Sequence, residues 1–244
     1  MESKSPQWQV VERVRAHEQV MAQIEQRILA GELSVGDHLP NERELSVLLG
    51  VSRPSLRESL RVLEALGIVE IRRGGEGGAV LVGTPGPGFV NLLKLQLALG
   101  QFTATDVLET RIALETWCCR EAALRRTDED LVALEAILDR MDEPEIDTAN
   151  FNRFDSEFHV RIAESTGNTL SAHLMQALRV AINRQMIDAY ASLVDWHATA
   201  KIVRAEHRTI VESLRDSDPD AASRHVHAHI TDFYRAMLSA RDKG

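Results

Sequence analysis

Long apolar runs, aromatic residues and cysteine are all scarce in this chain of 244 residues. No stretch of about 18 apolar residues occurs, so no membrane-spanning helix is expected. The opening residues, Met1 to Pro6, have neither the basic start nor the apolar segment of a secretory leader, and a cytoplasmic protein with no membrane partner is expected. Cysteine is confined to the adjacent Cys118 and Cys119, which excludes a disulfide framework and a thiolate zinc site. Lying inside a helical pattern, they read as small core residues. With 44% hydrophobic and 27% charged residues, the balance is that of a globular protein rather than a disordered or fibrous one. The length suits two domains, each able to bury its own core.

An excess of positive charge is lacking too. The net charge of -9 argues against indiscriminate nucleic-acid binding, whose affinity comes mainly from neutralising phosphates with Lys and Arg. Distribution matters more than the sum, however. Arg43, Arg53, Arg57, Arg61, Arg72 and Arg73 crowd into a short stretch without a lysine and with rather few acids, which leaves room for a local basic patch.

The densest Pro/Gly segment, Gly83-Thr84-Pro85-Gly86-Pro87-Gly88, has no helical or strand period. It divides the chain into residues 1–83, a linker at 84–88, and residues 89–244. In the first part, Val20, Ile24 and Ile28 mark one helix, and Leu45, Leu48 and Leu49 a second. Leu56, Leu60, Leu63 and Leu66 mark a third, and Gly31, Gly50 and Gly67 end the three in turn. Asn41 with Glu44, then Ser52 with Pro54, supply the start signals of the second and third. The period then changes. Ile68–Ile71 and Ala79–Val82 are β-prone runs around a glycine-rich tip. Beyond Gly88 the pattern is helical almost throughout, with helices expected near 89–100, 104–125, 128–142, 147–166, 169–193, 197–215 and 218–240. The predicted fold is mainly α, a winged helix-turn-helix with a small hairpin wing followed by an all-α bundle.

In a winged helix-turn-helix the second helix of the pair enters the major groove. On the third helix Arg53, Arg57 and Arg61 form an i,i+4 row distinct from the leucine row, so one helix offers a reading face and a packing face. Arg53 and Arg57 can reach guanine O6 and N7. Ser52 and Ser55 stand at the helix N-terminus, where an anion is favoured, and glycines at the wing tip permit close backbone approach. The stretches Gly31–Leu33, Gly36–Leu45, Leu49–Arg53 and Arg57–Leu60 resemble the GntR-type DNA-binding domain, and the similarity runs from about Val20 to Val82. Asn41 stands where Ser is common in that family, and Pro54-Ser55 where Thr-Pro or Thr-Thr is common. The resemblance implies DNA contacts at Arg43, Arg53, Arg57 and the wing residue Gly74. It also implies a homodimer on a pseudo-palindromic double-stranded operator.

In the second part, Asp155 and His159 stand at i,i+4 beside the core row Phe151, Phe154, Phe158 and Ile162. His207 falls on the stripe Val203, Ile210, Val211, Leu214. His229 falls on the stripe Ala222, Val226, Ile230, Phe233, Met237, with His227 nearly opposite and His225 intermediate. Four polar groups at inward positions must be paired, hydrated or ligated, and an Asp/His₃ set suits a divalent transition metal such as zinc, nickel or manganese. The pattern from about Val107 to Met237 resembles the FCD ligand-binding domain of the FadR-type GntR branch. That resemblance implies Asp155, His159, His207 and His229 as metal ligands, and a small carboxylate effector bound at the metal with Arg111 on its other end. The alternative for Arg111 is an ion pair with Glu115. The branch's acyl-CoA-binding type lacks the quartet.

The expected function is a DNA-binding repressor released by a carboxylate. A repressor that senses the metal itself is one alternative, and a metal-dependent hydrolase or lyase another, since a bound ion can bring the pKa of water to about 7. No HExxH signature supplies a general base, and an enzyme would leave the winged helix without a role. No catalytic residue is expected.

Overall fold

A computed structural model describes residues 16–72, 78–83, 87–99, 102–191 and 195–241. The chain divides into two compact units, Met1–Phe89 and Val90–Gly244. Residues 1–15, the wing residues Arg73 and Gly74, and residues 84–86 of the expected linker lie outside the described residues.

In the first unit α1 (Ala16–Leu29) buries Val20 and Ile24. A short α2 (Glu42–Leu48) starts at Asn41, whose side-chain oxygen accepts from the amides of Arg43 and Glu44. Gly50, at φ 64°, makes the turn into α3 (Arg53–Ala65), a left-handed position that glycine occupies without a Cβ penalty. Ser52 caps α3 through the Ser55 amide, with Pro54 in the first turn. Strands β1 (Val69–Arg72) and β2 (Gly78–Leu81) pair antiparallel, with Val69 opposite Leu81 and Arg72 opposite Gly78. The hairpin starts one residue later than its hydrophobic run. The Ile68 amide is spent on the Leu63 carbonyl at 2.9 Å, while Gly67, at φ 74°, bonds Glu64. Both bonds close the C-terminus of α3. The core gathers Val20, Ile24, Leu39, Leu45, Leu56, Leu60, Leu63, Val69, Ala79 and Leu81, so the three helices and the hairpin share one apolar centre.

The helix α4 (Pro87–Ala98) crosses the division, and the second unit continues as α5 (Ala104–Arg125), α6 (Asp128–Met141), α7 (Thr148–Glu164), α8 (Thr169–Ala191), α9 (Trp196–Arg215) and α10 (Pro219–Arg241). Thr103 and Thr127 start α5 and α6 with reciprocal capping boxes to Asp106 and Asp130, each satisfying two orphan donors. In the bundle α5 lies against α10, α7 against α8 and α6, and α9 against α10. Phe151, Phe158, Leu134, Met141, Ile210 and Leu214 are fully enclosed. No described helix is long and apolar enough to cross a membrane.

Candidate nucleic-acid interface and metal centre

On α3 the leucine and arginine rows separate as their spacing requires. Leu56, Leu60 and Leu63 are buried, whereas Arg53, Arg57 and Arg61 are exposed. Arg43, on α2, is exposed as well. The Ser52 hydroxyl accepts from the Ser55 amide at 3.3 Å, and the two hydroxyls share a hydrogen bond of 2.9 Å at the start of α3. Arg57 does not stand alone. Its Nε donates to Glu42 Oε1 at 3.2 Å and its Nη2 to Oε2 at 2.6 Å.

In the helical unit, α7 brings Asp155 and His159 inward, α9 brings His207 and α10 brings His229. All four are buried, and one ligand atom from each lies within 4.8 Å of the others. His207 Nε2 stands 3.4 Å from Asp155 Oδ1 and 3.3 Å from His229 Nε2, and His159 Nε2 stands 3.8 Å from Asp155 Oδ1. Donor atoms about 2.1 Å from one ion are spaced roughly 3–3.5 Å when adjacent and about 4.2 Å when opposite, so these spacings fit a shared cation. The tautomers fit too. His159 Nδ1 faces Glu115 Oε2 at 2.6 Å and His229 Nδ1 faces Glu206 Oε2 at 2.7 Å. Each Nδ1 thus stands against a carboxylate, which leaves the Nε2 of both rings to turn inward. Asp155 Oδ1 and His159 Nε2 have no hydrogen-bond partner among the described residues, an arrangement of acceptors facing acceptors that a cation satisfies.

Burial and neighbouring charge set the protonation states of these groups. Burial depresses the pKa of His159, and of His207 still further, which favours neutral imidazole. Burial works against ionisation of Asp155, but the Arg179 guanidinium beside it holds its carboxyl well below the usual range. Glu115 is likewise kept ionised against burial, by Arg111, His159 and Arg179.

Arg111 is buried and donates from Nε to Glu115 Oε1 at 2.8 Å, so it touches the cluster through Glu115. Two contributors escaped the sequence reading. Arg179, 1% exposed, donates from Nη2 to Asp155 Oδ2. Its signal was a lone arginine on the α8 stripe Met175, Leu178, Ile182, Met186. Glu206 adjoins His207, one step off its stripe, and nothing in the spacing marks it as the partner of His229.

These features define a winged-helix DNA-binding protein with a C-terminal helical unit. Residues 16–78 match the bacterial regulatory proteins of the gntR family, and residues 106–232 match the FCD domain. The chain is similar to the HTH-type transcriptional repressor NanR of Salmonella newport strain SL254, 31% identical over 224 residues that cover 89% of this chain and 84% of the relative. The protein of the same name from Salmonella typhi is also 31% identical, over 89% of this chain and 82% of its own length. Among solved structures, Streptococcus agalactiae GntR aligns over 90% of this chain and 99% of its own, at 26% identity and a TM-score of 0.59. E. coli McbR/YncC aligns over 93% and 98%, at 14% identity and a TM-score of 0.51, a likeness of fold alone. The chain belongs to the GntR family and carries an FCD domain. It is a DNA-binding transcription regulator, not an enzyme.

Proposed function

We propose that the chain is a homodimeric repressor that binds a pseudo-palindromic operator in double-stranded DNA and is released when a small carboxylate binds at a divalent transition metal in the helical unit. The repressor sense follows the names of the NanR relatives. Arg53 and Arg57 read bases from α3, Arg43 and the Ser52 and Ser55 hydroxyls hold the backbone, and Gly74 lets the wing approach it.

The observation that carries the metal is the convergence of Asp155, His159, His207 and His229, with two imidazoles fixed from behind by Glu115 and Glu206. Zinc, nickel or manganese suits three imidazole nitrogens and a carboxylate. Once bound, the ion offers a Lewis-acidic centre with positions that a carboxylate oxygen can take from water. Charge favours such a ligand. Arg111 and Arg179 balance Glu115 and Asp155, and Glu206 behind His229 adds one more negative charge, so a divalent cation leaves the centre with a single formal positive charge that one carboxylate neutralises. Arg111 holds the effector's other end, exchanging part of its contact with Glu115. The effector releases DNA only by binding the DNA-incompetent state more tightly.

The test is a DNA-binding titration of His207→Ala and His229→Ala against a panel of small carboxylates, with metal content measured alongside. Both variants are expected to lose metal, keep effector-free DNA binding, and lose the roughly 5- to 150-fold release that allosteric coupling typically gives. Variants that lose metal yet release DNA at the wild-type effector concentration would overturn the gating role of the metal.

A further inference from the structure

Glu42 is an acid on the face that meets a polyanion. It opens α2, and its carboxylate is in direct contact with Arg57 of α3 and feels the positive charge of Arg53 and Arg61 as well. That hydrogen bond and the surrounding arginines lower its pKa, although slight burial opposes them, so the carboxylate is ionised at neutral pH.

The geometry of the contact matters more than its charge. A guanidinium has two flat edges that donate paired N–H groups, one from Nε with an Nη and one from the two Nη atoms. Glu42 occupies the first, through Nε at 3.2 Å and Nη2 at 2.6 Å. The second edge keeps donors from Nη1 and Nη2, a fork that fits guanine O6 and N7. A long arginine side chain otherwise spreads over many rotamers, and ordering it costs entropy at the moment of binding. Glu42 and Arg57 belong to two helices locked by Leu45, Leu56 and Leu60 in one core, so the tether is anchored at both ends.

We propose that Glu42 is a positioning residue for sequence recognition, holding Arg57 side-on so that the free edge of its guanidinium is presented to a guanine in the major groove. The proposal rests on α3 being the reading helix.

The experiment uses full-length protein, a duplex selected from a random pool by the wild type, and a scrambled duplex of equal length. Glu42→Gln keeps the size of the side chain and removes its charge. Loss of a negative charge by itself strengthens binding to all DNA, so a mere repulsive acid and a positioning acid predict different outcomes. The expected result is a fall of about tenfold in the ratio of selected to scrambled affinity, with preference lost at the same guanine that Arg57→Ala ceases to select. Replacing that guanine by 7-deazaguanine, which lacks the N7 acceptor, should weaken the wild type and leave Glu42→Gln nearly indifferent. In an Arg57→Ala background Glu42→Gln should not lower the ratio further. Equal tightening on both duplexes, an unchanged base preference, or a further loss in the double variant overturns the proposal. If Arg57→Ala itself leaves discrimination intact, the assignment of α3 as reader is what fails.

Discussion

A histidine has two ring nitrogens, and what holds one decides what the other can do. His229 gives Nδ1 to Glu206, which is 27% exposed at its side chain, whereas His159 gives Nδ1 to the fully buried Glu115. The two acids should therefore respond differently to neutralisation. Glu206→Gln is expected to fold normally and to weaken metal binding about 10- to 100-fold, as read by competition with a chelator of known affinity. Unchanged affinity would assign Glu206 to the surface. Glu115→Gln would leave Arg111 without its buried counter-charge and Arg179 with Asp155 alone, which costs folding stability as well. At this scale the sequence was informative where period was clean. Among His225, His227 and His229, the α10 stripe selects His229, and the structure leaves His227 exposed while His225 bonds the Ser213 hydroxyl at 2.8 Å. The partners were less legible because a carboxylate beside a stripe looks like any solvated acid, and only the neighbouring helix reveals its purpose.

Elements were readable because their ends carry their own chemistry. Asn41, Ser52, Thr103 and Thr127 act on neighbours within a few residues, so α2, α3, α5 and α6 begin where the local code places them. Ile68 differs, since its amide is claimed by α3 before the strand can use it, a competition invisible in an alternating apolar run. The α6 cap also illustrates a load shared between elements. Asp130 accepts from the Thr127 amide at 2.8 Å and the Thr127 hydroxyl at 3.0 Å, and its other oxygen accepts from Arg161 of α7 at 2.6 Å. Burial opposes its ionisation, yet the Thr127 bonds and Arg161 win and lower its pKa. A carboxyl whose folded pKa is depressed stabilises the fold above its unfolded pKa of about 3.9, and that contribution is lost as pH falls through the folded value. Asp130→Asn is accordingly expected to cost about 1–2 kcal/mol at pH 7 and progressively less below about pH 4. Urea denaturation at several pH values checks this, and a deficit that is the same at pH 3 as at pH 7 would deny the charge any part in it.

For the molecule as a whole, the two units have separate cores, and the four metal-binding candidates all lie in the second. A ligand that binds only the folded form stabilises whatever unfolds with its site, by about 4 kcal/mol at a thousand times Kd. Calorimetry of metal-loaded protein should thus give one transition that EDTA lowers and another, identified by its rise with operator DNA, that EDTA leaves in place. Equal shifts of both, or of neither, would contradict a metal held by the helical unit alone.

Cys118 and Cys119 lie side by side in α5 at 0% and 1% exposure. Burial, with Glu115 nearby, pushes the Cys118 thiol up to about 12 and raises the Cys119 thiol well above its ordinary value. Alkylation needs thiolate and access, and the folded helical unit offers neither. The rate at which iodoacetamide consumes these two thiols, the chain's entire complement, is therefore set by how often that unit opens. The winged helix contributes no signal. The chain thus carries an internal stopwatch wired to one half of itself, and whatever holds α5, α7, α9 and α10 together will slow its hand.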